Sequence, residues 1–327
     1  MNRNISHDHN LTRIDPLALS PNMRASISQF TWLHWLTVVM SVITLTGNLS
    51  LLSIFYKLRE LLTPFTIYII SLLLANIAGA LFTFNPFIAA INSLLTEQDS
   101  PFFCAFPRFF AVAIGPLSPL YHMSIALNRL WAVTWPLSYR SKHTKRTAII
   151  ICILCWAAIT AFAVTVTTVD TVLYSDALDN VQCSYSRVVP SEFYWLPFHN
   201  WAFYALPEIV IVISYPYFVI RRRKIAVGTR KTANSSDTDP LPFAVAHAET
   251  GKHRHIVDKR SSGSFFLLSL MTFSVAVCWS VSNIYFMSGT LLANNRVLYL
   301  TGRIFKMAQA TLDPVIFAFA RPRILRK

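Results

Sequence analysis

Hydrophobic and polar positions along this chain segregate into long blocks instead of alternating over a few residues. No Asp, Glu, Lys or Arg occurs from Ala25 to Tyr56, Leu61 to Leu95, Phe109 to Asn128, Thr147 to Val169 or Ser261 to Asn295. Phe193 to Ile220 is interrupted by Glu208, and Val297 to Ala320 by Arg303, Lys306 and Asp313. A helix needs about 20 apolar residues to cross the hydrocarbon core of a bilayer, so the blocks read as seven candidate spans. They predict helices at 28–56, 63–93, 104–136, 147–169, 195–222, 262–290 and 297–320. The expected fold is an all-α membrane protein, a seven-transmembrane helix bundle. Its parts are an N-terminal tail at 1–27, a membrane domain at 28–320 containing the loop 223–260, and a tail at 321–327.

Composition agrees. Of the 327 residues 54% are hydrophobic and 13% charged, whereas a soluble domain carries about 25% charged residues. The 13% aromatic content excludes a disordered chain. The net charge of +14 would suggest nucleic acid in a soluble protein, but little of this chain is left to display a basic patch to water. Twenty of the 29 Lys and Arg fall in 57–60, 140–146, 221–260 and the tail from Arg321, on alternate loops. The positive-inside rule places those loops in the cytoplasm and the N-terminus outside.

The other faces differ. Segment 170–192 carries Asp170, Asp176, Asp179 and Glu192 against Arg187. Asn4-Ile5-Ser6 and Asn10-Leu11-Thr12 are glycosylation sequons in the tail predicted to lie outside. Met1 to Arg24 lacks an apolar run, so the first helix is expected to act as the insertion signal. His247, His253 and His255 sit in the polar cytoplasmic loop, where a solvated basic linker is the plainer reading than a metal site. Neither an internal repeat nor a nucleotide-binding, Gly-x-Ser-x-Gly or His-Glu-x-x-His motif is present, so no enzyme is expected.

Short motifs recur once per span. Cys104 stands 25 residues before Arg129 in Leu127-Asn128-Arg129-Leu130, and Gly47-Asn48, Leu74-Ala75-Asn76 and Trp156 mark the first, second and fourth spans. Pro207 and Tyr215 mark the fifth, Cys278-Trp279-Ser280-Val281 the sixth, and Asp313-Pro314-Val315-Ile316-Phe317 the seventh. In this order and spacing the chain resembles a rhodopsin-like (family A) G-protein-coupled receptor, with Arg129 in the Asp-Arg-Tyr position and Asp313-Pro314 in the Asn-Pro-x-x-Tyr position. Asn128, Asn76, Val281 and Phe317 depart from the usual acid, acid, proline and tyrosine.

The resemblance implies roles. Cys104 and Cys183 would form a disulfide pinning the 170–192 loop over the bundle mouth. Asn4 and Asn10 would be glycosylated. Arg129 would engage a G protein with Asn128, Tyr215, Pro314 and Phe317 forming the switch around it, and Leu137 of the second cytoplasmic loop would enter a G-protein groove. The two acids that usually restrain this arginine are missing, so appreciable ligand-free activity is expected. Asn48, Asn76 and Asp313 would converge as a polar core, with Asp313 either attracting a sodium ion or protonated and hydrogen-bonded to the asparagines. No other cofactor is expected.

Ala111, Gly115, His199, Phe203, Trp279, Asn283, Phe286, Arg303 and Lys306 would line the ligand pocket. Ala111 stands where amine receptors place an aspartate, which disfavours a monoamine. Arg303 and Lys306 either bind an anionic ligand group or pair with Glu208 or an outer-loop acid. Lys306 is one residue, about 100° of helix, from Met307, the position aligned with the retinal lysine, which disfavours an opsin. Pro116 and Pro119 are expected to bend the third helix. The expected partners are the bilayer, an extracellular ligand and a heterotrimeric G protein at the plasma membrane. A transporter routing substrate past these charges and a non-signalling decoy receptor are the rival readings.

Overall fold

The computed structural model describes residues 21–83, 109–173, 192–235, 269–286 and 296–320. Helix α1 (Pro21–Lys57) is followed by a 3-10 turn at Arg59–Leu61 and by α2 (Pro64–Ala78), which runs into a π turn at Gly79–Thr83. The third span, α3, covers Phe109–Thr134, and short α4 (Pro136–Lys142) precedes α5 (Lys145–Leu173). The fifth span, α6, runs Glu192–Asn200, widens through a π turn at Trp201–Ala205 and continues Leu206–Ser235. The sixth is α7 (Ser269–Phe286) and the seventh α8 (Arg296–Ala320). No strand occurs among the described residues.

Six of these helices are long and apolar enough to cross a membrane. The seventh, α8, carries three charges between Arg303 and Asp313, and it belongs in the bundle because its polar side turns inward: Gln309 and Asp313 are fully buried. The molecule is thus inverted relative to a soluble protein. Ile153, Leu154 and Ile213 stand about 60% exposed, while Asn48, Asn76, His122, Gln309 and Asp313 lie inside. Lipid solvates the first set at no cost; the second must satisfy one another.

Local chemistry sets several boundaries. Thr63 and Thr66 form a reciprocal capping box at the start of α2, each side-chain oxygen accepting the other's backbone N–H at 3.3 Å, with Pro64 in the first turn. Proline is well suited to that position because its missing N–H has no partner there. The same holds for Pro21 at the start of α1 and Pro136 at the start of α4. Helix α6 extends to Ser235, beyond 222, because Arg221-Arg222-Arg223-Lys224-Ile225-Ala226 is built largely of good helix formers.

The two prolines of α3, both expected to bend it, act differently from each other. The helix breaks once, at Gly115–Pro116, and α-helical pairing resumes at Leu117. Pro119 then lies in the first turn of the new segment, where a missing N–H leaves nothing unpaired.

Packing joins the spans through three apolar clusters. The largest is centred on Tyr68, Leu72 and Leu73 of α2 with Leu117, Tyr121 and Ile125 of α3, Ile159 of α5 and Phe317 of α8. A second packs Tyr204, Ile211 and Phe218 of α6 on Val275, Cys278 and Trp279 of α7. The third joins Val112 and Ala113 of α3 to Ala163 and Val166 of α5. Helices α1 and α8 approach closely at Gly47, where a Cβ would lie 3.2 Å from Cγ of Pro314.

Candidate functional site

Three groups of polar or charged side chains interrupt this apolar framework. At the predicted cytoplasmic end, Arg129 of α3 is half-buried and its guanidinium carbon sits 3.5 Å from the centroid of the Phe65 ring on α2. Such a stacked cation gains quadrupole attraction where water is scarce. Its neighbour Asn128 is turned toward the second cytoplasmic loop. The Asn128 amide donates to Nε2 of His143 at 2.7 Å and its oxygen accepts from the Tyr139 hydroxyl at 3.2 Å. His143 stacks on Tyr139 at 4.5 Å and on Tyr68 at 5.9 Å, with Trp131 edge-on at 5.8 Å.

Burial, reinforced by the Arg129 cation, holds the His143 imidazole below its ordinary value, so the ring stays a neutral acceptor. Burial pushes the Tyr139 phenol up, so it stays a donor. Leu137 of α4, 82% exposed, projects from this anchored loop. Tyr215 of α6 accepts a hydrogen bond from Ser269 of α7 at 3.2 Å, Phe317 is buried in the main core, and Pro314 backs onto Gly47.

At mid-bundle, Asn48, Asn76 and Asp313 do converge. The Asn76 amide donates to Asp313 Oδ2 at 2.8 Å and lies 3.4 Å from Asn48 Oδ1. The Asn48 amide donates to the carbonyls of Thr44 and Ala310. Two residues with no signal in the short motifs complete the group. His122 Nε2 lies 3.2 Å from Asp313 Oδ2 and 2.8 Å from the Gln309 amide. A protonated Nε2 donates to the carboxylate when the Gln309 amide presents its oxygen, an assignment that hydrogen-bond logic makes. Asp313 Oδ1 and Asn76 Oδ1 are buried and find no donor among the described residues. Spacing could have flagged both missed residues: Gln309 is four before Asp313, one helical turn, and His122 is a lone imidazole in an otherwise apolar block.

Toward the predicted outer end, aromatic side chains of α6 and α7 surround a cation of α8. Lys306 Nζ lies 4.3 Å from the Tyr204 ring centroid, 5.0 Å from Trp279 and 5.3 Å from Phe286. His199 is buried among Phe162, Phe203, Tyr204 and Trp195. Asn283 donates to Glu208, so this acid spends an oxygen on α7.

Arg303, expected to share a face with Lys306, reaches a different neighbour. Its guanidinium donates to the Thr83 carbonyl of the second span at 3.3 Å and lies 5.9 Å from the Tyr299 ring. Among the described residues neither cation forms an ion pair. Gly115, at the break in α3, faces the Tyr204 hydroxyl so closely that a Cβ would overlap it. Ala111, four residues earlier, is half-buried. Cys104, Cys183, Asn4 and Asn10 lie outside the described residues. Cys152, Cys155 and Cys278 are free thiols.

The arrangement therefore has a caged cation at one end, an exposed loop beside Arg129 at the other, and a hydrogen-bonded polar core between. The profile of the family described as "7 transmembrane receptor (rhodopsin family)" matches residues 47–317. A Caenorhabditis elegans protein named "Probable G-protein coupled receptor tkr-1" is 22% identical over 312 residues, 93% of this chain and 71% of that protein. "Mas-related G-protein coupled receptor member X2" of Homo sapiens is 30% identical over 131 residues, 38% of this chain and 37% of its own. "Mas-related G-protein coupled receptor member B4" of Mus musculus is 25% identical over 139 residues, 42% of this chain and 40% of its own.

Proposed function

The chain belongs to the rhodopsin family of seven-transmembrane receptors, and from that premise we propose that it signals an extracellular ligand carrying an anionic group. It is a multi-pass membrane protein and a G-protein-coupled receptor rather than an enzyme or a transporter. We place it at the plasma membrane with the N-terminus outside, on the charge asymmetry of its loops.

The observation carrying the ligand reading is Lys306, a cation enclosed by three ring faces and attracted by Glu208, but with no carboxylate in ion-pair contact among the described residues. Ring faces attract the ammonium but accept its N–H groups poorly, and a carboxylate or phosphate offers the acceptors that are missing. Arg303, three residues outward, would meet the same ligand from the α2 side once drawn from the Thr83 carbonyl. Trp279 and Phe286 of α7 touch this cation, so ligand bound there bears on the helix whose outward movement opens the cytoplasmic cleft beside Arg129.

A sodium ion fits the polar core. Asp313 Oδ1 and Asn76 Oδ1, buried acceptors without donors among the described residues, are the hard oxygen atoms such an ion takes. These two residues would hold it, and it would supply a charge neutralising Asp313 and tying α2 to α8.

The test is G-protein nucleotide exchange driven by panels of carboxylate, phosphate and amine compounds. Acidic compounds should activate the wild type, and Lys306→Ala should weaken them about tenfold, as loss of a charge-assisted hydrogen bond implies. Equal potency on wild type, Arg303→Ala and Lys306→Ala would remove the cationic pocket. Binding without exchange would mark a decoy receptor.

A further inference from the structure

A groove of about 300 Å³ opens on the outside of the bundle between α3 and α6, in the half nearer Arg129. Leu127, Leu130 and Trp135 form one wall and Val210, Ile213 and Tyr217 the other. The groove belongs to the surface that faces lipid: Ile213 is 63% exposed and Trp135 62%, and neither Asp, Glu, Lys nor Arg lines it. A bilayer therefore supplies its occupant. The chemistry at the groove's cytoplasmic mouth selects among lipids.

Tyr217 and Trp135 are ring systems suited to the headgroup boundary. Arg221 follows Tyr217 by four residues and Ser214 by seven, so it continues the groove-lining stripe of α6 by one turn, and it is exposed. Apolar walls that end in an exposed guanidinium match a lipid whose acyl chain lies below a net-negative headgroup.

We propose that this groove binds an anionic phospholipid of the cytoplasmic leaflet, with an acyl chain between α3 and α6 and its net-negative headgroup on Arg221. The site requires the orientation proposed above and is independent of the ligand and of G-protein coupling. Its walls adjoin the switch in sequence, Leu130 following Arg129 and Ser214 preceding Tyr215. Occupancy therefore bears on how α3 and α6 separate when the cytoplasmic cleft opens.

Full-length receptor reconstituted in nanodiscs of mixed phosphatidylcholine, phosphatidylserine and cholesterol, then released for native mass spectrometry, tests the proposal. Wild type should retain phosphatidylserine in preference to phosphatidylcholine. Arg221→Ala should reduce that preference about fivefold, the worth of one cation near an anionic surface, while Arg221→Lys keeps it. Ile213→Trp, which fills the groove from an exposed position, should abolish retention, and Ile153→Trp on the exposed face of α5 should not. Equal retention of the two phospholipids, retention of cholesterol in their place, or unchanged retention by Ile213→Trp would overturn it. So would a cross-link from position 213 to a second receptor copy in place of lipid.

Discussion

At the scale of single residues, the most consequential substitution is the asparagine at 128. Where the family has an acid beside its arginine, Asn128 bonds instead to His143 and Tyr139 of the loop below α3. The loop is thereby held, and position 128 offers the arginine an amide in place of a carboxylate. Asn128→Asp should lower ligand-free nucleotide exchange by restoring a charged contact that favours the inactive state; unchanged or raised basal exchange would refute this.

The loop anchor itself depends on a neutral imidazole. Burial and the Arg129 cation depress the His143 value, so the folded state binds fewer protons than the unfolded one just below the ordinary imidazole value near 6.5. The contribution is present in full above that value and is lost as pH falls from it through the lower value of the folded state. The thermal midpoint of purified receptor should therefore fall on acidification, and His143→Gln should flatten that part of the profile. A wild-type profile identical to the variant's would contradict the anchor. The Asn128 half of this site was legible from the arginine next to it. His143 was not, because nothing in a basic loop, Arg140 to Arg146, shows which side chain folds back onto α3.

At the scale of helices, glycine and proline decide where spans can approach. The seam of α1 and α8 is fixed by the Gly47–Pro314 contact, the Thr44–Thr311 hydroxyl pair at 2.8 Å and the Asn48 amide on the Ala310 carbonyl at 3.0 Å. Gly47→Val would drive a branched side chain against the proline ring and should destabilise the receptor by about 1–3 kcal/mol, read as a fall in its thermal midpoint. An unchanged midpoint would mean that α1 and α8 are not held at this distance.

The long apolar blocks revealed the helices because each block is a property of its own segment. Pairings across segments were less visible. Spacing put Arg303 and Lys306 on one face, yet Lys306 is drawn to rings on α6 and α7 and Arg303 to a carbonyl of the second span. Flexible cations three residues apart follow their partners, which lie far off in sequence. Likewise, Pro116 and Pro119 look alike in the sequence, and only the break at Gly115–Pro116 shows that Pro119 falls in a first turn.

At the scale of the whole molecule, the bundle is a lipid-exposed shell around three polar groups, at Lys306, Asp313 and Arg129, set apart along its length. Helix α8 gives a physical link between the outer group and the core, because it carries both the caged lysine and the core aspartate. If ligand on Lys306 is to reach the cytoplasm, the link must pass contacts such as Asn76–Asp313 and His122–Asp313. His122→Leu should leave a buried carboxylate short of a donor, costing about 1–3 kcal/mol of stability and altering ligand-stimulated exchange without touching the ligand. A variant with wild-type stability and signalling would show that the core carries neither.

The most direct measurement is the rate of nucleotide exchange on purified heterotrimeric G proteins mixed with this receptor in lipid nanodiscs, compared with Arg129→Ala at equal surface density. The account predicts that the wild type accelerates exchange on at least one G-protein class and that Arg129→Ala does not. Acceleration that survives Arg129→Ala, or none from the wild type with any class while acidic compounds still bind it, would contradict it.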